Sequence, residues 1–221
     1  DALARMAHRL NRSRARLLSG FPHQVTGTWA EALVVPLVHV VLLGYMPMLF
    51  MRLTRHAGFG VGCGQLMMAR RDAYEQIGGH RAIRASMHDG LTLPRAFRRA
   101  GHFTDVVDAT DLARCRMYRG AGEVWRGFAK NATEGMATPL GLPLWTALLV
   151  GGFILPWIML ALWLTGPDGA AALTVPILGA AAATVALALL TRAWLAHPWP
   201  SVIARPLGVA MLLAIQWYAL A

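Results

Sequence analysis

The sequence predicts an α/β domain followed by a helical membrane region. Three observations predict this. Up to about residue 137, short β-type runs alternate with amphipathic helical ones. Charge is confined to that part: of 11 acidic and 21 basic side chains, only Asp168, Arg192 and Arg205 lie beyond Thr138. The remainder is rich in Leu, Ala, Val and Trp and holds apolar runs of near-span length. A length of 221 residues accommodates one or two domains. The expected division is 1–137 and 138–221. A net charge of +10 suits phosphorylated substrates, anionic headgroups or nucleic acid. With membrane segments present, lipid and phosphate are favoured over nucleic acid. The two cysteines, Cys63 and Cys115, lack metal or redox spacing and read as reduced thiols. No secretory signal is visible, and the chain reads as a piece of a longer protein.

Residues 1–16 place Leu3, Met6, Ala7 and Leu10 at helical spacing among Arg5, Arg9, Arg12 and Arg16, which gives a basic amphipathic helix. Leu17 to Phe21 reads as a short strand ended by Pro22. Thr28 with Glu31 has capping-box spacing. The run after it, to about residue 53, is apolar but interrupted by Pro36, His39, Gly44 and Pro47. It reads as an interfacial or re-entrant helix pair, with Arg52 and Arg55 beside phosphates; a transmembrane helix is the other reading.

Gly58, Gly60, Gly62 and Gly64 lead into an expected strand, Gly62 to Met68, and glycines there mark close backbone approach. Residues 71–77 form a helix ended by Gly78-Gly79. His88 or Asp89 starts another helix, which runs to Arg99 with Pro94 in its first turns. Its apolar side is Leu91, Leu93, Ala96 and Phe97; its polar side is Arg95, Arg98 and Arg99. Residues 104–107 and 112–117 read as two short strands, and 122–134 as a helix. Three spans are expected, at 142–165 with a kink at Pro156, 170–190 and 202–221. The loop Gly166-Pro167-Asp168-Gly169 has no cation, whereas the next carries Arg192 and Arg205. The positive-inside rule therefore puts the second loop and the Arg-rich domain in the cytoplasm.

By residue type alone, Asp89 is a helix cap. Arg126 and Lys130 lie four apart on one helical face with Asn131 adjacent, a basic face suited to phosphates. His88 is an acid/base group by type.

The run Gly64-Gln65-Leu66-Met67-Met68-Ala69-Arg70-Arg71-Asp72-Ala73-Tyr74-Glu75-Gln76-Ile77-Gly78-Gly79-His80 resembles the middle of family 2 glycosyltransferases. His80-Arg81-Ala82-Ile83-Arg84 and Met87-His88-Asp89-Gly90-Leu91-Thr92-Leu93 fall where that family has its Glu-Asp pair. Cys115 to Tyr118 and Trp125 to Asn131 are most similar to the branch that glycosylates carotenoids and related polyisoprenoid lipids. The resemblance covers about residues 17–136.

It implies the C-terminal half of a GT-A domain followed by a transmembrane region. The implied activity is inverting sugar transfer from a nucleotide sugar to a lipid-soluble acceptor. The partners are therefore that donor, that acceptor and the membrane, with no nucleic acid. It implies Asp89 as general base with His88 beside it, and Gly64 and Gln65 on the acceptor side. Arg126, Lys130 and Asn131 would take the donor phosphates, in loose alignment with the family's Q-x-x-R-W element. Two departures stand out: His88 replaces the usual Glu, and Q-x-x-R-W is not clearly present. The family's divalent cation, Mg or Mn, is held by a D-x-D motif that lies outside this chain; Asp105 and Asp108 have the wrong spacing. The expected location is the cytoplasmic membrane, multi-pass, with the catalytic part on the cytoplasmic side. Two alternatives compete: a polysaccharide synthase of the same family, and a non-catalytic membrane protein whose basic domain binds anionic lipid.

Overall fold

The chain is mixed α/β, with a small sheet and a majority of helix. The structure, a computed structural model, describes residues 1–46, 48–166 and 173–221. It divides into two compact units, 1–25 with 39–117, and 26–38 with 118–221. The division by packing thus differs from the division by charge near Thr138, because residues 26–38 and 118–137 pack among the C-terminal helices.

The first unit is built on a three-stranded sheet in the order β2-β1-β3. Helix α1 (Ala2–Arg12) is capped by the Asp1 side chain, and Met6 and Leu10 turn inward while Arg9 and Arg12 stay out. Strand β1 (Ala15–Gln24) is central, pairing parallel with β3 (Phe103–Cys115) and antiparallel with β2 (Met67–Ala69). Two expectations are corrected here. Pro22 does not end β1. Strand β2 pairs only with residues 17–19, so at Pro22 the β2 side of β1 is an open edge where no N–H is required. A register break follows between Pro22 and His23. The strands expected at 104–107 and 112–117 are one strand, β3, continuous through its exposed Asp108 and Asp111. The glycine-rich approach is strand only at Met67–Ala69. Helix α5 (Arg71–Gln76) ends at Gly78, which takes φ 77° as anticipated.

Helix α6 (Asp89–Arg99) packs Leu93 and Phe97 against Leu17 and Ala73. Its Arg98 is not on a solvated face, as the pattern implied, but 2% exposed. Its guanidinium donates to the carbonyls of Met51 at 2.6 Å, Thr54 at 2.9 Å and Thr104 at 3.0 Å, and to Thr104 Oγ1 at 2.8 Å. Burial lowers its pKa from the ordinary arginine value, and the nearby Asp105 opposes that shift. One arginine therefore joins α6, β3 and the end of α4 (Met48–Leu53) by satisfying carbonyls that would otherwise be buried unpaired.

Helices α2 (Trp29–Val34) and α3 (Leu37–Tyr45) form the apolar stretch interrupted at Pro36. Residues 30–35, Leu37, His39 and Val40 are buried. Among the described residues of the expected interfacial segment, the exposed large apolar side chains are Trp29, Leu43, Leu49, Phe50 and Leu53. His39 stands edge-on to Phe21 with ring centroids 5.8 Å apart, in the first unit. Burial pulls its pKa down to about 4; His23 adds to this and Asp108 opposes it. A depressed histidine is bound neutral in the folded state. Its contribution to stability is full above pH ~6.5 and is lost as pH falls toward 4. The loss is about 3 kcal/mol. Denaturant melts of wild type and His39→Leu across this range check it: the wild-type decline is steeper by that amount.

In the second unit, the Thr28 cap forms as its spacing predicts: Thr28 Oγ1 accepts from the Glu31 amide at 3.5 Å and donates to the Glu31 carboxylate at 2.7 Å. Helix α7 (Ala121–Ala132) is followed by α8 (Gly141–Phe153) and α9 (Leu155–Thr165), which meet at a 45° bend. The bend sits at Pro156, whose missing N–H and ring break the ladder. Helix α10 (Thr174–Leu195) is the one helix among the described residues long and apolar enough to cross a bilayer, and 28% of its apolar window is buried. The third expected span is instead α11 (Trp199–Ile203) and α12 (Arg205–Leu220), the latter 16 residues long, or about 24 Å. That is short of a bilayer core. Gly208, Val209, Leu212, Leu213 and Ile215 of α12 are buried.

Of the loop charges behind the orientation, residues 167–169 lie outside the described residues. Arg205 is no loop cation: it is 3% exposed and donates to Thr191 Oγ1 at 2.8 Å. Arg192 donates to the His197 carbonyl at 2.7 Å and stacks 4.0 Å from the Trp199 ring centroid.

Candidate functional site

Asp89 is the first residue of α6, and His88 is the N-cap, without a side-chain capping bond. The cap reading of Asp89 is thereby corrected by one position. At this first position a carboxylate faces the unsatisfied amides and the positive end of the helix dipole. Its Oδ1 accepts from the Gly90 amide at 2.7 Å. Asp89 is exposed, and no cation pairs with it among the described residues.

What holds this helix start is a backbone approach that only glycine permits. A Cβ at Gly90 would lie 2.7 Å from the Gly62 carbonyl oxygen. A Cβ at Gly64 would overlap the Asp89 carboxylate, with Oδ2 at 2.6 Å. The glycine-rich segment is fixed from below by Ser19 on β1. Its Oγ accepts from the Cys63 amide at 2.7 Å and donates to the Cys63 carbonyl at 3.1 Å. Ser19 carries no sequence signal for this role, since its partner lies 44 residues away. Cys63 is a protonated thiol, pushed up to about 11, chiefly by burial.

The predicted acceptor-side pair is split. Gly64 touches Asp89, whereas Gln65 Oε1 accepts from Gln24 Nε2 at 2.7 Å at the end of β1. Gln24 is a second residue the sequence did not single out; its own Oε1 is buried without a partner. The His88 amide donates to Ser86 Oγ at 3.1 Å; Thr92 Oγ1 donates to the His88 carbonyl at 2.9 Å and is hydrogen-bonded with Ser86 Oγ at 3.0 Å. This polar knot sets the turn ahead of Asp89.

The predicted phosphate ligands belong to the second unit. Arg126 and Lys130 are exposed on one face of α7, with no acid paired to either among the described residues. Asn131 is half-buried, and its Oδ1 is buried without a partner. The start of α7 is held by a residue whose reach was not foreseen. Glu31 is 1% exposed, and its carboxylate accepts from the Gly27 amide at 2.7 Å and the Gly120 amide at 2.8 Å, besides Thr28 Oγ1. Gly120 has φ 112° and ψ 170°, a conformation open to glycine and costly for any side chain.

Asp105 and Asp108 are engaged elsewhere. Asp105 pairs with Arg52 at 3.0 Å, and Asp108 accepts from the Thr110 amide at 2.9 Å. Among the described residues no group of three or more His, Cys, Asp or Glu side chains could hold a metal ion. No protein-family model, curated protein or solved structure matches the chain.

Proposed function

We propose that the chain carries the acceptor and base side of a membrane-bound inverting glycosyltransferase of family 2, acting on a lipid-soluble acceptor. The observation that carries this reading is the Asp89 carboxylate. It is exposed, free of any cation among the described residues, set at a helix start, and seated where Gly64 leaves room for it. A general base needs such a group within hydrogen-bond reach of the proton it removes. Asp89 takes the acceptor hydroxyl proton as that oxygen bonds to the anomeric carbon. The bond from that carbon to the phosphate oxygen breaks on the opposite face, and the diphosphate leaves with the electron pair. On the second unit, considered by itself, Arg126 and Lys130 are exposed cations of the type that takes phosphate oxygens. Membrane residence is supported by α10 and by the exposed leucines, isoleucine and tryptophan of α8 and α9. We place the protein in the cytoplasmic membrane, multi-pass, with Asp89 on the cytoplasmic side.

The test is incubation of the full-length protein with labelled nucleotide sugars and membrane lipid. Label is expected in the organic extract. Label in an insoluble polymer would instead support a polysaccharide synthase. Retained liposome binding with no nucleotide-sugar binding would make the protein a non-catalytic lipid binder.

Gly64→Ala probes the same site without substituting the base. The added methyl displaces the Asp89 carboxylate, which has open solvent to turn into. Unfolding stability is expected to change by under about 1 kcal/mol. Transfer is expected to fall about ten- to hundred-fold, the cost of misplacing a reacting group. Wild-type turnover in this variant would detach Gly64 from the site.

A further inference from the structure

We propose that the first unit carries its own docking surface for an anionic lipid bilayer, formed by Leu49, Phe50 and Leu53 of α4 with Arg14 and Arg55. The inference goes beyond sugar transfer and does not depend on it. Helix α4 has two unlike sides. Met51 is 1% exposed and packs with Phe21, Val61 and Val106. Leu49, Phe50 and Leu53 are 67%, 51% and 62% exposed. Leu49 and Leu53 are one helical turn apart with Phe50 beside them, so the three share a face. A soluble domain gains nothing by leaving such a face in water.

Cations border it. The Arg14 and Arg55 guanidiniums lie 4.6 and 4.9 Å from the centroid of one ring, Phe103. Both are exposed, and neither pairs with a carboxylate among the described residues. Two like charges gathered on one ring are complementary to an anion outside the protein. Arg52 of α4 is paired with the mostly buried Asp105 at 3.0 Å. Apolar side chains in the acyl boundary with arginines at phosphate level is the arrangement of an interfacial helix. This charge complementarity selects an anionic bilayer over a protein partner.

The test uses the full chain in vesicles, with a nitroxide on Leu53→Cys in a Cys63→Ala, Cys115→Ala background and a control label at Glu75→Cys. In phosphatidylglycerol-containing vesicles the Leu53 label is expected to be open to oxygen and shielded from a water-soluble nickel chelate, and the Glu75 label the reverse. Arg14→Ser and Arg55→Ser are each expected to weaken the seated state about five-fold. High salt should weaken it likewise without any substitution. A Leu53 label that stays chelate-accessible in anionic vesicles overturns the proposal. So does shielding that is equal in phosphatidylcholine, or shielding that persists in detergent, where a second protein copy would be the cover. Because the readout is label accessibility, failed sugar transfer leaves it intact.

Discussion

Glu31→Ala is expected to destabilise the second unit by about 4 kcal/mol, the largest stability effect of any substitution considered. The Glu31 carboxylate is 1% exposed and collects Gly27 N–H, Thr28 O–H and Gly120 N–H. Truncation leaves these donors without their acceptor inside a packed unit, where each orphan costs about 1–3 kcal/mol. Glu31→Gln is expected to cost roughly half as much, because the amide offers one acceptor oxygen and turns an N–H toward a donor. The consequence reaches α7. Gly120 is its N-cap, and releasing it frees the turn that orients Arg126 and Lys130. Melts in mild detergent give the stability change, and hydrogen exchange at residues 118–124 reports the α7 start. An Ala variant that melts with the wild type would reduce Glu31 to a local cap.

Asp89→Asn is expected to lower sugar transfer about 10²- to 10⁴-fold while leaving the fold intact. Asparagine has the same shape and keeps the oxygen that accepts from Gly90. It loses only the charge at the helix start, worth about 0.3–1 kcal/mol. The drop in rate therefore reports proton transfer rather than folding. Asp89→Glu keeps the base but lengthens its arm within the tight approach of Gly64 and is expected to recover part of the rate. His88→Ala separates two roles. If the His88 ring is only structural, transfer falls with stability; if it handles a proton, transfer falls alone.

The pattern of the chain carried much of this architecture. The start of α6, the Gly78 stop, the Thr28 cap and the Pro156 bend each follow from chemistry within a few residues, and each lies where that chemistry puts it. What was not legible depends on partners far away in sequence. Arg98 looks like one more surface arginine until Met51 and Thr54, more than 40 residues earlier, present their carbonyls. Pro22 reads as a strand end, and it is tolerated because β2 happens to stop short of it. Arg205 looks like a loop charge and is instead a buried link to Thr191. The same limit applies to the site. Asp89 and Gly64 were both visible as types, but their contact, the Ser19 prop beneath them and the link from Glu31 to Gly120 are tertiary. The apolar face of α4 was legible as an interfacial tendency. Its neighbour, the Arg14–Phe103–Arg55 stack, was not.

Whether Asp89 takes the acceptor proton is read from a single-turnover measurement. Full-length wild type and Asp89→Asn are each loaded with nucleotide sugar, and a lipid acceptor is then added. The expected result is equal donor affinity, a chemical step slowed at least a hundred-fold in Asp89→Asn, and a wild-type product with inverted anomeric configuration. A chemical step at the wild-type rate in Asp89→Asn, or a retained configuration in the product, would contradict the assignment.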